Sequence, residues 1–112
     1  MHNRAEMPPG TLEMLILKTL HRAGPSHGYA LAKTIQQVSE EVLRVEEGSL
    51  YPALQRILLK GWATAEWVLA GAKRRQRIYQ LTSEGERQLD VEILKYRRIA
   101  EAIERVLQPA NI

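Results

Sequence analysis

The run Trp62-Ala63-Thr64-Ala65-Glu66-Trp67-Val68-Leu69-Ala70-Gly71-Ala72-Lys73-Arg74-Arg75-Gln76-Arg77-Ile78-Tyr79-Gln80-Leu81 interrupts an otherwise helical pattern. Residues 62–69 and 77–81 are rich in aromatic and β-branched side chains, which suit a pleated backbone. The Ala70-Gly71-Ala72-Lys73 tract between them can reverse the chain through Gly71. Two strands around a basic tip are therefore predicted. Ala65 and Trp67 are expected to face inward with Tyr79 and Leu81.

The tip also carries the charge. The 112-residue chain has a formal net charge of +3. Residues 1–69 hold seven basic and seven acidic side chains, and residues 82–112 hold five basic and six acidic. The excess lies between them, in Lys73, Arg74, Arg75 and Arg77, with no acid nearby. Such a patch attracts a polyanion more strongly than the same charge spread out. It also serves as a solvated hairpin tip, and charge alone does not separate the two.

Working back from the hairpin, three helices are predicted. Thr11 is placed as the cap of a helix over 11–23, with Leu12, Leu15, Ile16 and Leu20 on one face and Gly24-Pro25 as its stop. Ser26 is placed as the cap of a second helix over 28–40, whose stripe is Leu31, Ala32, Ile35 and Val38. Leu43-Arg44-Val45 reads as a short strand. Ser49 is placed as the cap of a third helix, with Pro52 in its first turn and Gly61 as its end. Leu50, Leu54, Ile57 and Leu58 make the buried stripe of that helix. Ser49, Tyr51, Pro52, Gln55, Arg56 and Leu59 are left at its flanks or outside.

Beyond the hairpin, Thr82-Ser83 caps a last helix over 83–107, and Ser83 with Glu86 fits a capping box. Gly85 in its first turn reads as a mild weakness. At about 1.5 Å per residue this helix spans roughly 37 Å. A compact domain of this size has a radius of gyration of about 13 Å, so the helix should overhang. Leu89, Ile93, Tyr96, Ala100, Ile103 and Leu107 are spaced 4, 3, 4, 3 and 4 residues apart, the pattern of helix-on-helix packing. The seam can pack on the chain's own first helix, on a second copy, or on both. One short domain cannot cover all of it, which favours a second copy.

Composition narrows the function. Apolar residues make up 45% and charged residues 26%, a globular mix. The longest aliphatic run, Met14-Leu15-Ile16-Leu17, falls far short of the roughly 20 residues of a membrane span. No basic-then-apolar segment opens the chain, and there is no cysteine, so a cytoplasmic protein is expected. Histidines are confined to positions 2, 21 and 27, and Asp90 is the only aspartate. No HExxH, GxSxG, Walker A or GxGxxG pattern occurs. Neither an enzyme, a metal site nor a cofactor is expected.

The predicted fold is mainly α with a small β-hairpin: a winged helix-turn-helix plus a long C-terminal helix. Residues 1–9 read as a flexible arm, 10–82 as the winged-helix domain and 83–112 as a dimerisation helix. A helix of this kind fits the major groove of duplex DNA while the hairpin brings cations to phosphates. Gln55 and Arg56 can hydrogen-bond bases or phosphates; Ser49 and Tyr51 can donate to phosphate oxygens. Tyr51 equally suits a half-buried packing role. Ser26, His27 and Tyr29 lie at a helix N-terminus, where free N–H groups favour an anion. For His27 and Tyr29, packing between the first two helices is an equal alternative. A winged helix that binds another protein is the rival function.

Gly10-Thr11-Leu12-Glu13-Met14-Leu15-Ile16-Leu17, Ser26-His27-Gly28-Tyr29-Ala30-Leu31 and Val45-Glu46-Glu47-Gly48-Ser49-Leu50-Tyr51-Pro52-Ala53-Leu54 resemble PadR-type transcriptional regulators. Gly61-Trp62, Ala65-Glu66-Trp67, Arg74-Arg75, Ile78-Tyr79-Gln80-Leu81-Thr82 and Gly85 continue the likeness over about residues 10–107. It looks like the short subfamily with a single C-terminal helix. The tract Ala70-Gly71-Ala72-Lys73 departs from the family pattern in lacking acidic and asparagine-rich residues. The resemblance implies a repressor that binds double-stranded DNA as a homodimer on a pseudo-palindromic operator. It implies that Tyr51 and the basic wing approach the DNA backbone; with the reading of the helix faces, the expected DNA contacts are Ser26, His27, Tyr29, Ser49, Tyr51, Pro52, Gln55, Arg56, Lys73, Arg74, Arg75 and Arg77. It implies a dimer through the first and last helices, whose stripe and seam make Leu12, Leu15, Ile16, Leu89, Ile93, Tyr96, Ala100, Ile103 and Leu107 the expected interface. The resemblance also leaves room for a small apolar or aromatic effector near that interface, lined by Tyr96 and the first helix, with a filled, ligand-free interface as the alternative.

Overall fold

The computed structural model describes Met7 and residues 10–110. The arm expected over residues 1–9 lies outside them except for Met7, which packs against the core. The elements are α1 (Thr11–Ala23), β1 (Ser26–His27), α2 (Gly28–Val38), α3 (Glu47–Leu59), β2 (Ala63–Leu69), β3 (Arg75–Leu81) and α4 (Ser83–Leu107). The strands form one antiparallel sheet in the order β1-β3-β2. This is a winged helix-turn-helix followed by a long helix, as the sequence predicts. Among the described residues no helix is long and apolar enough to cross a membrane.

The core forms where the apolar stripes of α1, α2 and α3 meet. Ile16, Leu17, Leu20, Leu31, Leu50, Leu54 and Ile57 are its largest fully buried side chains. Each contributes about 1.5–3 kcal/mol by leaving water. Tyr79 and Ala63 close the sheet side, and Leu89 closes the α4 side.

Several local expectations are corrected by backbone hydrogen bonding. Gly10, not Thr11, is the N-cap of α1, with no side-chain cap bond. His27, not Ser26, caps α2: its Nδ1 accepts from the Ala30 N–H at 3.2 Å. Ser26 instead belongs to β1, and its hydroxyl donates to the Gly24 carbonyl. The third strand therefore lies before α2, and residues 43–45 are not a strand. Val45 is buried there, and its N–H donates to the Gln36 side chain rather than to a neighbouring strand. That bond, with Glu41 N–H on the Gln36 carbonyl, ends α2 at Val38 and shapes the α2–α3 turn. Glu40 and Glu41 take left-handed backbone angles in it, φ 55° and 67°.

The start of α3 also lies earlier than the sequence suggests. Glu46 is its N-cap, and the N–H groups of Ser49 and Leu50 both donate to the Glu46 carbonyl. Ser49 is thus inside the first turn rather than capping it. Pro52 falls in the second turn, where its lost N–H removes one helical bond. At the far end, Gly61 N–H donates to Leu58 and Trp62 N–H to Ile57, with Gly61 at φ 76°. This paired closure needs a left-handed residue, so glycine stands there.

Of the Thr82-Ser83 pair it is Thr82 that caps α4, accepting from the Gly85 N–H at 3.0 Å. Glu86 faces His21 of α1 at 3.4 Å instead of completing a capping box. Gly85 is no weakness. A Cβ at that position would come 2.0 Å from the Trp62 carbonyl oxygen. Only glycine lets α4 dock on the α3–β2 junction.

Candidate nucleic-acid interface

The reading surface is built from α2, α3 and the wing. On α3, Leu50, Ala53, Leu54 and Ile57 turn inward, which forces Ser49, Tyr51, Pro52, Gln55, Arg56 and Leu59 outward, all exposed. The α2 start is held against this helix at Gly28. A Cβ there would lie 3.2 Å from both Tyr51 Cε1 and Leu54 Cδ1. The Tyr51 ring thus packs on Gly28 while remaining 47% exposed. His27 is half-buried and occupied as a cap, and Tyr29 is 65% exposed, its ring 6.5 Å from that of His27. Tyr29 is too exposed to pack between α1 and α2. Ser26 is half-buried, with its hydroxyl proton committed to Gly24.

Arg56 does not point freely to solvent. Its Nε donates to Glu13 Oε1 of α1, and the Glu13 side chain is 9% exposed. The pair ties α1 to α3 and orients the guanidinium. A buried carboxylate without this partner would be costly. Glu46 and Glu47 lie at the α3 N-terminus, where the helix dipole favours them. The acid-free part of α3 begins just after them.

The wing is a hairpin closed by Ala70 N–H on the Arg74 carbonyl at 2.8 Å, with Gly71 at φ 85°. The ladder sets Ala65 opposite Tyr79, Trp67 opposite Arg77 and Leu69 opposite Arg75. These pairs share one face, and that face runs off the core. Tyr79 and Ala63 are buried, Ala65 is half-buried, and Trp67 is 57% exposed. Trp67 therefore has the side but not the burial expected. The sheet is longer than the core beneath it.

The exposed end of this face is lined with guanidinium groups. Arg75 lies 5.2 Å from the Trp67 ring centre, and Arg77 lies 5.8 Å from the rings of both Trp67 and Tyr79. Arg77 Nε is buried with no hydrogen-bond partner among the described residues. Burial pushes the Tyr79 phenol above its ordinary value of 10.0, against the pull of Arg77 and with a smaller push from Tyr51. Lys73 and Arg74 at the tip are exposed. A concavity of about 340 Å³ joins His27, Gly28, Tyr29 and Tyr51 to Trp67, Arg75 and Arg77. It makes one cationic surface of three elements distant in sequence. Its chemistry suits an extended anion, since donors and cations line it; no group of three His, Cys, Asp or Glu able to hold a metal occurs among the described residues.

The residues expected at a dimer interface divide sharply. Leu12, Ile16 and Leu89 are buried within the chain and are not available to a partner. Leu15, Ile93 and Ala100 are half-buried, whereas Tyr96, Ile103 and Leu107 are exposed. Sequence reasoning missed Glu13, Gly28 and the outward Trp67. An acid on the apolar side of α1 was the available signal for Glu13. The adjacency of Gly28 to Tyr51 had no signal in one sequence.

The fold recurs in solved structures. A transcriptional regulator from Clostridium thermocellum superposes with a TM-score of 0.81 at 23% identity, over 88% of this chain and 95% of that one. A PadR family transcriptional regulator from Eggerthella lenta gives 0.77 at 29% identity, over 90% and 85%. A PadR family regulator from Clostridium difficile gives 0.72 at 28% identity, over 88% and 100%. No curated protein matches the chain. Residues 16–91 match the transcriptional regulator PadR-like family, so this chain is a member of that family and a transcriptional regulator rather than an enzyme.

Proposed function

We propose that this regulator is a repressor that acts as a homodimer on a pseudo-palindromic operator. The observation that carries the reading is the single cationic face shared by Tyr51 of α3 and Arg75 and Arg77 of the wing. In this reading α3 enters the major groove, with Gln55 and the Glu13-oriented Arg56 toward base edges. Ser26, His27, Tyr29, Ser49, Tyr51 and Pro52 border the phosphate backbone, and Lys73, Arg74, Arg75 and Arg77 hold phosphates. Occupancy of a promoter would repress it. Half-sites one helical turn apart, roughly 34–36 Å, match a two-fold dimer.

The dimer is supported by the outer part of α4. Tyr96, Ile99, Ile103 and Leu107 are each more than half exposed, which is unusual for a stripe of this size on a monomer. A groove of about 520 Å³ between the start of α1 and α4 is lined by Met14, Tyr96, Ile99 and Ile103, with Glu92, Lys95 and Glu104 at its edges. It is the place for an apolar or aromatic effector. A ligand that favours the DNA-free dimer there must weaken DNA binding by the same factor that DNA weakens it.

Titration of the duplex upstream of its own gene at several salt concentrations tests the reading. Affinity should fall steeply with salt. Alanine at the wing cations should lower the slope by about one for each phosphate left without its cation. An unchanged slope rejects the wing assignment. Replacing Gln55 or Arg56 should shift sequence preference by about 1–3 kcal/mol if either bonds a base in bidentate fashion. Selection of the same motif by variant and parent removes that role.

A further inference from the structure

We infer that Trp67 is a positioning residue for DNA binding, its ring holding the guanidinium groups of Arg75 and Arg77 on the face that continues from α3. The inference rests on the DNA-binding reading above and adds a residue to it. Trp67 stands opposite Arg77 in the ladder and one same-face pair inward of Arg75, so one ring serves both arginines. The Tyr79 ring centre lies 5.8 Å from the Arg77 guanidinium as well. The four wing cations thus fall into two kinds. Lys73 and Arg74 project from the turn, whereas Arg75 and Arg77 are held on an aromatic rail beside Tyr51.

The physical reason is preorganisation. A free arginine loses rotamer freedom when it grips a phosphate, while a stacked one has already lost it. The ring also attracts the cation through its π face, more strongly once water is excluded. A duplex against this face excludes that water. The same residue is a poor candidate for holding the fold together, because 57% of it is exposed and its strand has run past the core.

Duplex titrations compare the parent with Trp67→Ala and Trp67→Tyr, alone and with Arg75→Ala plus Arg77→Ala. Trp67→Ala should weaken binding about tenfold with the melting temperature kept. The salt slope should also stay, because every charge remains. Trp67→Tyr should recover most of the affinity. In the background lacking both arginines, Trp67→Ala should cost nothing further, whereas its effect should simply add to that of Lys73→Ala. With Trp62→Phe leaving Trp67 as the one tryptophan, its fluorescence should change on adding duplex. Three results overturn the inference alone: parental affinity in Trp67→Ala, an undiminished effect without the two arginines, or a tyrosine variant as weak as alanine. A parent with no affinity for duplex at low salt overturns the DNA-binding reading itself and this inference with it.

Discussion

The two halves of α4 share one apolar spacing and end in opposite surroundings. Near its start Gly85 and Leu89 are buried and Ile93 packs on the core. Farther out Leu94, Tyr96, Ile99, Ile103, Val106 and Leu107 are exposed. The side chains do not differ in kind; what faces them does. α1 has 13 residues and α4 has 25, so α4 outruns the helix it packs along. The molecule is accordingly 67 Å long but 21 Å thin. Periodicity says that a stripe wants cover, and the length of the nearest helix says how much of it the chain itself provides.

The sharpest way to break the inner half is Gly85→Ala. The new Cβ would press on the Trp62 carbonyl at 2.0 Å, and that oxygen also accepts the Thr82 N–H. A shift of α4 away from the α3–β2 junction must follow. The expected loss is on the order of 4 kcal/mol, a large share of the stability of a small domain. Thermal unfolding measures it, and a melting temperature equal to the parent's would refute the docking role of Gly85. Leu89→Ala comes next, at about 3 kcal/mol for a buried leucine. The same change at Leu94, which is 64% exposed, should leave unfolding within about 0.5 kcal/mol. Equal effects at the two sites would erase the contrast between the halves.

The fold was legible because the hairpin breaks the helical period and because four stripes repeat at helical spacing. Capping was less legible. Ser26 and Ser49 are suitable caps by type, yet His27 and Glu46 hold those positions, and of Thr82-Ser83 it is Thr82 that caps. The pairing of Ser26 with Tyr79 pulls Ser26 into the sheet, and the bond from Thr82 to the Gly61 carbonyl anchors Thr82. Both are interactions distant in sequence, which outweigh local preference. The same blindness affected the site. Ser49, Tyr51, Pro52, Gln55 and Arg56 were placed outward correctly by the stripe of α3. The pinning of Arg56 by Glu13, 43 residues away, and the stacking of Arg77 on Trp67 needed the tertiary structure.

The outer half is tested by Ile103→Asp. In the proposed dimer a charge would enter the covered seam, while in a monomer Ile103 is already 52% exposed. Self-association should weaken at least about tenfold, because one isoleucine per copy no longer leaves water. Melting at concentrations too low for dimers should not change. Sedimentation velocity over a concentration series follows the first quantity. A variant that associates like its parent would move the dimer seam elsewhere.

The smallest effect concerns the sheet, where the same contrast of near and far ends recurs between buried Tyr79 and exposed Trp67. Burial raises the Tyr79 phenol above 10.0, the Arg77 charge opposes the rise, and Tyr51 adds to it. The folded state therefore resists ionising this group more than the unfolded chain does. Its contribution to stability is fully present below about 10.0 and is lost as pH climbs through the raised value. Denaturant unfolding from neutral to alkaline pH should show the parent losing stability above that point. Tyr79→Phe, which has no proton to lose, should give a flatter alkaline limb. An unchanged alkaline limb would mean that the phenol is as free to ionise in the fold as in the open chain, and the near end of the sheet face would then be no drier than the far one.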